Sequence, residues 1–224
     1  MSAAEEGAAR LAEHALQLVQ DGQVLGLGTG RAATAFVRAL AARVEGGLRV
    51  VGVPTSEATA RLARQLGIPL ATLADHPTLD LAIDGADEVD PRDDLIKGYG
   101  GALLREKVVA TAARRFVVLV GREKVVPALG SRGRLPVEVV PFALPLCRDR
   151  LARLGLRPEV RMQGGAPETT DNGNWICDCG LEPIADPPGL DRAIRAIPGV
   201  VGTGLFLGMA PTVLVEAEGK VEQR

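Results

Sequence analysis

The sequence predicts an α/β protein with a doubly wound, mostly parallel sheet and a second, smaller α+β domain. Over the first 120 residues, short apolar runs alternate with amphipathic stretches, and the connections between them are brief. This alternation is typical of parallel sheets that carry helices on both faces. With 224 residues, 46% of them hydrophobic, the chain can bury one large core, or one core and a small companion.

The elements of the first part follow from periodicity and from cap residues. Leu11, Ala15 and Leu18 share one stripe of the first predicted helix. Ser56 is expected to cap the start of the third helix and Gly67 its end. In chain order the predicted elements are helix 3–20, strand 24–28, helix 31–44, strand 48–54, helix 56–67, strand 80–84, helix 100–113 and strand 116–120.

The pattern changes from about Leu135 onwards. The stretches VEVVPFA, PLCRDRLARLG, RPEVRM, NWICDC, GLDRAIRAIPG and VVGTGLF follow the order β-α-β-β-α-β. This is the order of ferredoxin-like domains. Residues 211–223 then resemble strands that return to the first domain. The sequence therefore predicts one domain over 1–127 plus 207–224 and a small domain over 128–206.

Composition and charge narrow the class of protein. The net charge is −2, without the basic stripe expected of a general nucleic-acid binder. No apolar run approaches the roughly 18 residues that a membrane helix needs. The acidic N-terminus, MSAAEEGAAR, has no signal-peptide pattern. We therefore expect a cytoplasmic protein that binds neither nucleic acid nor membrane.

Cysteine and histidine usage predicts no metal site. An odd number of cysteines, Cys147, Cys177 and Cys179, argues against a disulfide framework. The CxC pair has no second pair and no neighbouring histidine to complete a metal site. His14 and His76 lie far apart in the sequence, so we expect no metal ion.

A glycine loop at the end of the first strand is a candidate anion site. GLGTGRAAT (26–34) leads from strand to helix, and its glycines let backbone N–H groups at a helix start face an anion. A tight turn without a ligand remains an alternative. The GxGxxG dinucleotide fingerprint fails, because residue 31 is arginine and residue 33 is alanine, and the second strand ends in Val53-Pro54 rather than in a carboxylate. The candidate binding residues of this loop are Gly28, Thr29, Gly30, Arg31 and Ala32.

Hydroxyl groups follow the second strand in the same manner. Thr55 and Ser56, in PTSEAT (54–59), stand at the next strand–helix junction. Their side chains could face the crevice beside the glycine loop, or they could simply cap the helix.

The most informative stretch is AIDGADEVDPRDDLIKGYGGALLREK (82–107). Asp84 ends an apolar run, and ligands bind at the carboxyl ends of strands in open α/β sheets. Asp87, Lys97 and Glu106 follow around three glycines. Carboxylates, a lysine and closely approaching backbone suit proton transfer next to a carbonyl. Turn residues and a solvated helix carboxylate are the alternative interpretation.

With these segments in order, the chain resembles the type A ribose-5-phosphate isomerases. The matching segments span most of the chain: GLGTG (26–30), PTSEAT (54–59), DLAIDGADEVD (80–90), LIKGYGGALLREK (95–107), the lysine of GREKVV (121–126) and TTDNGNWICD (169–178). The resemblance implies a Rossmann-like domain with a smaller ferredoxin-like one. It also implies a homodimer or homotetramer without metal or organic cofactor. The implied reaction converts D-ribose 5-phosphate to D-ribulose 5-phosphate, in the pentose phosphate pathway.

The resemblance also implies roles for individual residues. The family's proton acceptor falls on Glu106. The remaining substrate contacts fall on Thr29, Gly30, Arg31, Ala32, Asp84, Gly85, Ala86, Asp87, Lys97, Gly98, Tyr99, Gly100 and Lys124. The chain departs from the family at two places: Arg31 and Ala32 replace two hydroxyl residues, and Tyr99 stands where glycine is common.

Three other functions compete with this interpretation. A glucosamine-6-phosphate deaminase would release ammonia from an amino sugar phosphate. A sugar-phosphate sensor of bacterial repressors would carry a helix-turn-helix module, for which the roughly twenty residues before the first strand leave too little room. A nicotinamide-dependent oxidoreductase is disfavoured by the broken glycine fingerprint.

Overall fold

The computed structural model describes residues 2–224 and divides into two compact units. No helix within these residues is both long and apolar enough to cross a membrane. The elements are, in chain order, α1 (Ala3–Leu16), β1 (Val24–Leu27), α2 (Arg31–Glu45), β2 (Val51–Pro54), α3 (Glu57–Gln65), β3 (Leu81–Gly85), β4 (Glu88–Val89), β5 (Leu95–Ile96), α4 (Leu103–Ala112), β6 (Phe116–Gly121), β7 (Arg134–Val139), α5 (Leu144–Arg153), β8 (Arg157–Val160), β9 (Met162–Gln163), β10 (Ala166–Pro167), β11 (Trp175–Gly180), α6 (Pro187–Arg195), β12 (Val200–Thr203), β13 (Leu205–Phe206), β14 (Thr212–Ala217) and β15 (Lys220–Gln223), with 3-10 turns at Arg122–Lys124 and Pro141–Ala143.

The first unit contains a six-stranded sheet. It comprises the residues up to Ala86, Arg105–Lys124 and Met209–Arg224. The strand order is β15-β14-β6-β3-β1-β2, and every pair is parallel except β14 with β15. The predicted fold class, α/β with a mostly parallel sheet, is therefore confirmed.

The core of the first unit explains why the sequences of its strands are continuous apolar runs. Strands of a parallel sheet are buried on both faces, so successive residues are apolar. Leu25, Ile83 and Val117 come from three neighbouring strands and are fully buried. Leu11 of α1 and Phe36 of α2 belong to the same core. This core holds the ends of the strands at fixed heights.

Helix ends differ from the predicted ones by a few residues. The first helix ends at Leu16, and residues 18 and 19 continue in tighter turns. Ser56 is the N-cap of α3 as predicted, whereas the C-cap is Leu66, one residue before the predicted Gly67. The fourth helix begins only at Leu103.

The second unit is an α+β structure made of Asp87–Leu104 and Val125–Gly208. Its four-stranded sheet has the order β12-β7-β11-β8 and is antiparallel throughout. With α5 after β7 and α6 after β11, the chain follows the predicted β-α-β-β-α-β order, to which the hairpin β9–β10 is added. Its core includes Val137, Leu151 and Ile194.

Residues 87–104 group with the second unit, although the sequence placed them in the domain 1–127. Strand β5 in this segment pairs with β13. The buried carboxylate of Glu88 accepts hydrogen bonds from the backbone N–H groups of Gly130 (2.6 Å) and Arg132 (2.8 Å). Local periodicity cannot foresee such pairings. Met1, part of the predicted domain, lies outside the described residues, and the independence of 128–206 as a folding domain stays a prediction.

Candidate active site

The glycine loop and Asp84 meet at the carboxyl edge of the parallel sheet. Strands β1 and β3 pair with Leu27 beside Ile83, so Gly28, directly after β1, lies level with Asp84, near the end of β3. The Oδ1 atom of Asp84 accepts hydrogen bonds from the backbone N–H groups of Thr29 (3.1 Å) and Gly85 (2.7 Å). A Cβ atom on Gly28 would lie 2.3 Å from the Asp84 Cγ atom. Glycine is therefore required here by close approach to the carboxylate.

Four hydroxyl groups form a cluster beside this loop. The Thr29 Oγ1 atom lies 2.7 Å from Thr55 Oγ1, donates to Ser56 Oγ at 2.8 Å, and lies 3.2 Å from Thr59 Oγ1. Thr55 and Thr59 also donate to the carbonyl groups of Leu27 (3.1 Å) and Gly28 (2.9 Å). Hydroxyl groups at the β2–α3 junction therefore bind the backbone of the neighbouring β1–α2 junction.

Ser56 both caps the helix and contacts the glycine loop, the two alternatives that the sequence left open for this segment. Its Oγ atom accepts a hydrogen bond from the Thr59 backbone N–H at 3.1 Å and so caps α3. The same atom contacts Thr29. Thr59 was not singled out from the sequence; its position three residues after Ser56, on the same side of the first helical turn, is the signal that could have found it.

Glu106 is a buried residue, not a solvated one. It lies in the first two turns of α4 and is 4% exposed. Together with Gly28, Thr55 and Asp84 it lines one narrow cleft. The start of α4 is oriented by Arg105, whose guanidinium donates to Glu57 of α3 at 3.0 Å. The first unit thus combines two buried carboxylates, the glycine loop and a threonine in one place.

The other candidates of the first unit lie at element ends. Arg31 is the first residue of α2 and is exposed, whereas Ala32 is half-buried and packs against the core. Lys124 ends the 3-10 turn that follows β6 and is half-buried. Gly30 is the N-cap of α2, so the helix N-terminus begins directly at the loop.

A second set of candidates, residues 87 and 97–100, lies in the second unit. The Asp87 Oδ2 atom accepts the backbone N–H of Tyr99 at 2.9 Å. Lys97 is 2% exposed; its Nζ atom is 5.6 Å from the Phe206 ring centroid, a cation–π distance. Gly98 has a φ angle of +107°, a conformation that side chains disfavour. Residues 97–100 thus form a loop after β5, and Asp87, which precedes β4, holds that loop at Tyr99.

The phenol of Tyr99 is a structural group. Burial, and then the charges of Glu88 and Asp87, raise the pKa of Tyr99 to about 12. The hydroxyl therefore stays protonated, and it donates to the carbonyl oxygen of Arg134 at 3.2 Å. The Arg134 guanidinium stacks on the same ring at 4.6 Å. The side chain of Tyr99 is therefore fixed by packing and by a hydrogen bond to Arg134.

The cysteines and histidines do not assemble into a site. Within residues 2–224, no three His, Cys, Asp or Glu side chains are grouped as metal ligands would be. Cys147, Cys177 and Cys179 are free, buried thiols, and burial above all raises the pKa of Cys177 to about 11. Such thiols are unreactive at neutral pH.

Fold and residues together define an α/β protein with two buried carboxylates and a glycine loop at the carboxyl edge of a parallel sheet. The family model of ribose 5-phosphate isomerase A (phosphoriboisomerase A) matches residues 51–220. The ribose-5-phosphate isomerase A of Roseiflexus castenholzii is 58% identical over 217 residues, covering 95% of this chain and 93% of that protein. The chain belongs to the ribose 5-phosphate isomerase A family.

Solved structures agree with this assignment. The ribose 5-phosphate isomerase A of Methanocaldococcus jannaschii superimposes with a TM-score of 0.93 at 41% identity, covering 98% of both chains. A D-ribose-5-phosphate isomerase in complex with phospho-erythronic acid gives a TM-score of 0.95 at 38% identity, again covering 98% of both chains. The resemblance found in the sequence is thereby confirmed, while the roles of single residues stay predictions.

Proposed function

We propose that this chain interconverts D-ribose 5-phosphate and D-ribulose 5-phosphate through an enediolate. The observation that carries the proposal is the cleft in which buried Glu106 and Asp84 lie with the glycine loop, in a chain of this family. The relative in complex with phospho-erythronic acid adds support. This sugar acid phosphate is one carbon shorter than the substrate, and its carboxylate resembles the two oxygens of the enediolate.

Glu106 acts as the base that moves the proton. Its carboxylate takes the C2 proton of the open-chain aldose, and the C2–H electron pair forms the C1–C2 double bond while the carbonyl π electrons move to O1. A proton then passes from O2 to O1. Protonated Glu106 returns its proton to C1 as O2 becomes the ketone oxygen. A helix residue locked by burial is suited to this step, because its carboxylate stays aimed at both carbons.

Lys97 and the backbone N–H groups of Gly98 and Gly100 stabilise the negative oxygen of the enediolate, since the Tyr99 N–H between them donates to Asp87. A buried ammonium group is already held in place, so little reorganisation energy is needed when negative charge develops near it. Asp84 and Asp87 bind sugar hydroxyls and assist ring opening. Asp84 is rigid for this task, because two backbone N–H groups hold one of its oxygens.

The substrate phosphate binds at the loop Gly28–Gly30 and the start of α2. The N–H groups of the first helical turn and the helix dipole favour an anion there. Arg31, the first residue of the helix, and Lys124 supply positive charge. Thr55 and Ser56 contribute by holding Thr29. Gly85, Ala86 and Ala32 contact the sugar through their backbone.

The activity test is incubation of the protein with ribose 5-phosphate, without added metal, while ketose formation is followed. Glu106→Gln serves as the matched inactive control. Glucosamine 6-phosphate in place of the pentose tests the deaminase alternative through ammonia release. Ammonia release with no ketose from the pentose would overturn the proposal.

The active protein is a homodimer or homotetramer of the cytoplasm, serving the pentose phosphate pathway. Support for self-association comes from exposed apolar side chains of the second unit. Phe142 is 96% exposed, and Val140, Leu146 and Val201 are also exposed. Three of the four lie close together in the chain, between the end of β7 and the first turn of α5, and clustered apolar surface is typical of protein interfaces. Light scattering after gel filtration should give a multiple of 23.4 kDa, and Phe142→Asp should reduce it.

A further inference from the structure

Arg161 lies between β8 and β9 and contacts the loop that follows Lys97. Its Nη1 atom donates to the carbonyl oxygens of both Gly98 and Tyr99 at 3.2 Å, and its Nη2 atom donates to Gly98 at 3.2 Å. The Arg161 side chain is only 9% exposed. A single guanidinium therefore holds two successive peptide groups of the loop.

Asp178 of β11 holds the other edge of this guanidinium. The Nε and Nη2 atoms of Arg161 donate to Asp178 Oδ2 (2.9 Å) and Oδ1 (2.6 Å), a bidentate arrangement. Arg134 Nε also donates to Asp178 Oδ1 at 2.8 Å. Burial opposes the charge on Asp178, yet the bonds from Arg161 and Arg134 hold the pKa of that carboxyl below its usual range.

Tyr99 completes the arrangement. Its ring stacks under the Arg134 guanidinium, and its hydroxyl donates to the Arg134 carbonyl oxygen. The side chain of Tyr99 is thus fixed by Arg134, and its carbonyl oxygen by Arg161. The Asp178 carboxylate binds both arginines. The four side chains, Arg161, Asp178, Arg134 and Tyr99, therefore form one connected cluster.

The contacts of this cluster fix the direction of the peptide groups that follow Gly98 and Tyr99. In a trans peptide the N–H points opposite to the carbonyl of the preceding residue. Because the Gly98 carbonyl faces Arg161, the Tyr99 N–H faces the other way, and there it meets Asp87 Oδ2 at 2.9 Å. By the same rule, the Gly100 N–H is turned away from Arg161, since the Tyr99 carbonyl is turned towards it.

We propose that Arg161, anchored by Asp178, is a positioning residue for the isomerase reaction. It orients the Gly100 N–H towards the enediolate oxygen and keeps Asp87 aligned with the sugar. This inference rests on the proposed function. Arginine suits the task because only its planar fork can donate to two carbonyls and a carboxylate at once; lysine is a point charge.

The test compares Arg161→Met, Arg161→Lys and Asp178→Asn with wild type in the ribose 5-phosphate assay. We expect kcat/KM to fall by roughly 10- to 100-fold in each variant, mostly through kcat, since a small misplacement of reacting groups has an effect of this size. Arg153→Ala is the matched control. It removes an arginine of the same unit that pairs with Asp149 at 2.9 Å on the surface, and it should leave both constants unchanged.

An inhibitor comparison separates positioning from general loosening of the fold. Phospho-erythronic acid carries a carboxylate where the enediolate oxygens develop, whereas ribitol 5-phosphate carries only hydroxyls there. The variants should lose at least fivefold more affinity for the acid than for the polyol. Equal losses for both ligands, or a kcat within twofold of wild type, would overturn the assignment.

Two further outcomes are informative. If the Arg161 variants do not fold, the isosteric Asp178→Asn variant decides by the same inhibitor ratio. If wild type shows no ketose formation at all, the proposed function fails, whereas active wild type with unaffected Arg161 and Asp178 variants refutes the positioning role alone.

Discussion

The backbone N–H of Thr29 donates a 3.1 Å hydrogen bond to the Oδ1 atom of Asp84. The two residues are 55 positions apart in the sequence, yet Thr29 follows the end of β1 and Asp84 lies near the end of β3, the parallel strand beside it. The bond couples the loop proposed to bind phosphate to a carboxylate proposed to bind the sugar. Changes on either side of it are therefore expected to affect both substrate binding and turnover.

Replacement of Glu106 by glutamine should abolish proton transfer while keeping the shape of the side chain. We expect kcat to fall by roughly 10²–10⁴, the range of a positioned acid–base group, with a much smaller change in KM. Solvent-deuterium incorporation into the sugar, followed by NMR, should fall in parallel. Glu13→Gln, at an exposed position of α1, is the control. Near-normal turnover of Glu106→Gln, with Asp84→Asn or Asp87→Asn inactive, would make an aspartate the base.

Replacement of Arg31 by alanine tests the phosphate site. If Arg31 contacts the phosphate, KM for ribose 5-phosphate should rise more than kcat falls, which is the signature of lost uniform binding. Arg38→Ala is a close control, since Arg38 is exposed on the same helix two turns further from the loop. An unchanged KM in Arg31→Ala would leave Thr29 and the loop backbone as the binding groups.

Replacement of Gly28 by alanine should lower both stability and activity. The added Cβ would lie 2.3 Å from Asp84 Cγ, so the strand end or the carboxylate must move. We expect a loss of about 1–3 kcal/mol in the free energy of unfolding, as for other overpacked sites, and a reduced kcat. Urea titration measures the first quantity. Gly46→Ala, where the nearest atom would be 3.4 Å away, should cost much less; equal losses would contradict the steric argument.

Chelation should leave the activity intact, because the proposed steps use a carboxylate, a lysine and backbone N–H groups. The measurement is the ribose 5-phosphate assay after dialysis against EDTA, with a metal-dependent enzyme treated alongside. Loss of activity that a divalent ion restores would reveal a metal requirement.

The pH dependence of stability should report on Asp178. Its pKa is lower in the folded protein, so it stabilises the fold at pH values above the unfolded pKa of about 3.9. This contribution disappears as the pH falls through the lower, folded pKa. The difference in unfolding free energy between wild type and Asp178→Asn should therefore be largest near neutrality and shrink below about pH 4. A difference that is constant between pH 7 and pH 3 would argue against a charged Asp178.

Several features of the site could be predicted from short segments. The apolar run before Asp84 predicted a buried strand that presents a carboxylate at its end, because strand burial depends on local composition. GLGTG predicted the junction of β1 and α2, and Ser56 predicted the start of α3. Glu106, by contrast, had no local signal for burial, since REK looks like an exposed helix turn.

What the sequence determined by itself is the fold class, the order of the elements and the family, since periodicity, cap residues and the segment 80–107 are all local patterns. The tertiary structure alone decided which distant groups meet. Thr59 reaches Thr29 because β1 and β2 pair in one register, and Arg161 reaches Asp178 because β8 pairs with β11. Residues 87–104 join the second unit through strand pairing with β13. Such contacts depend on strand register and on hydrogen bonds between residues far apart in the chain, and no local pattern encodes them.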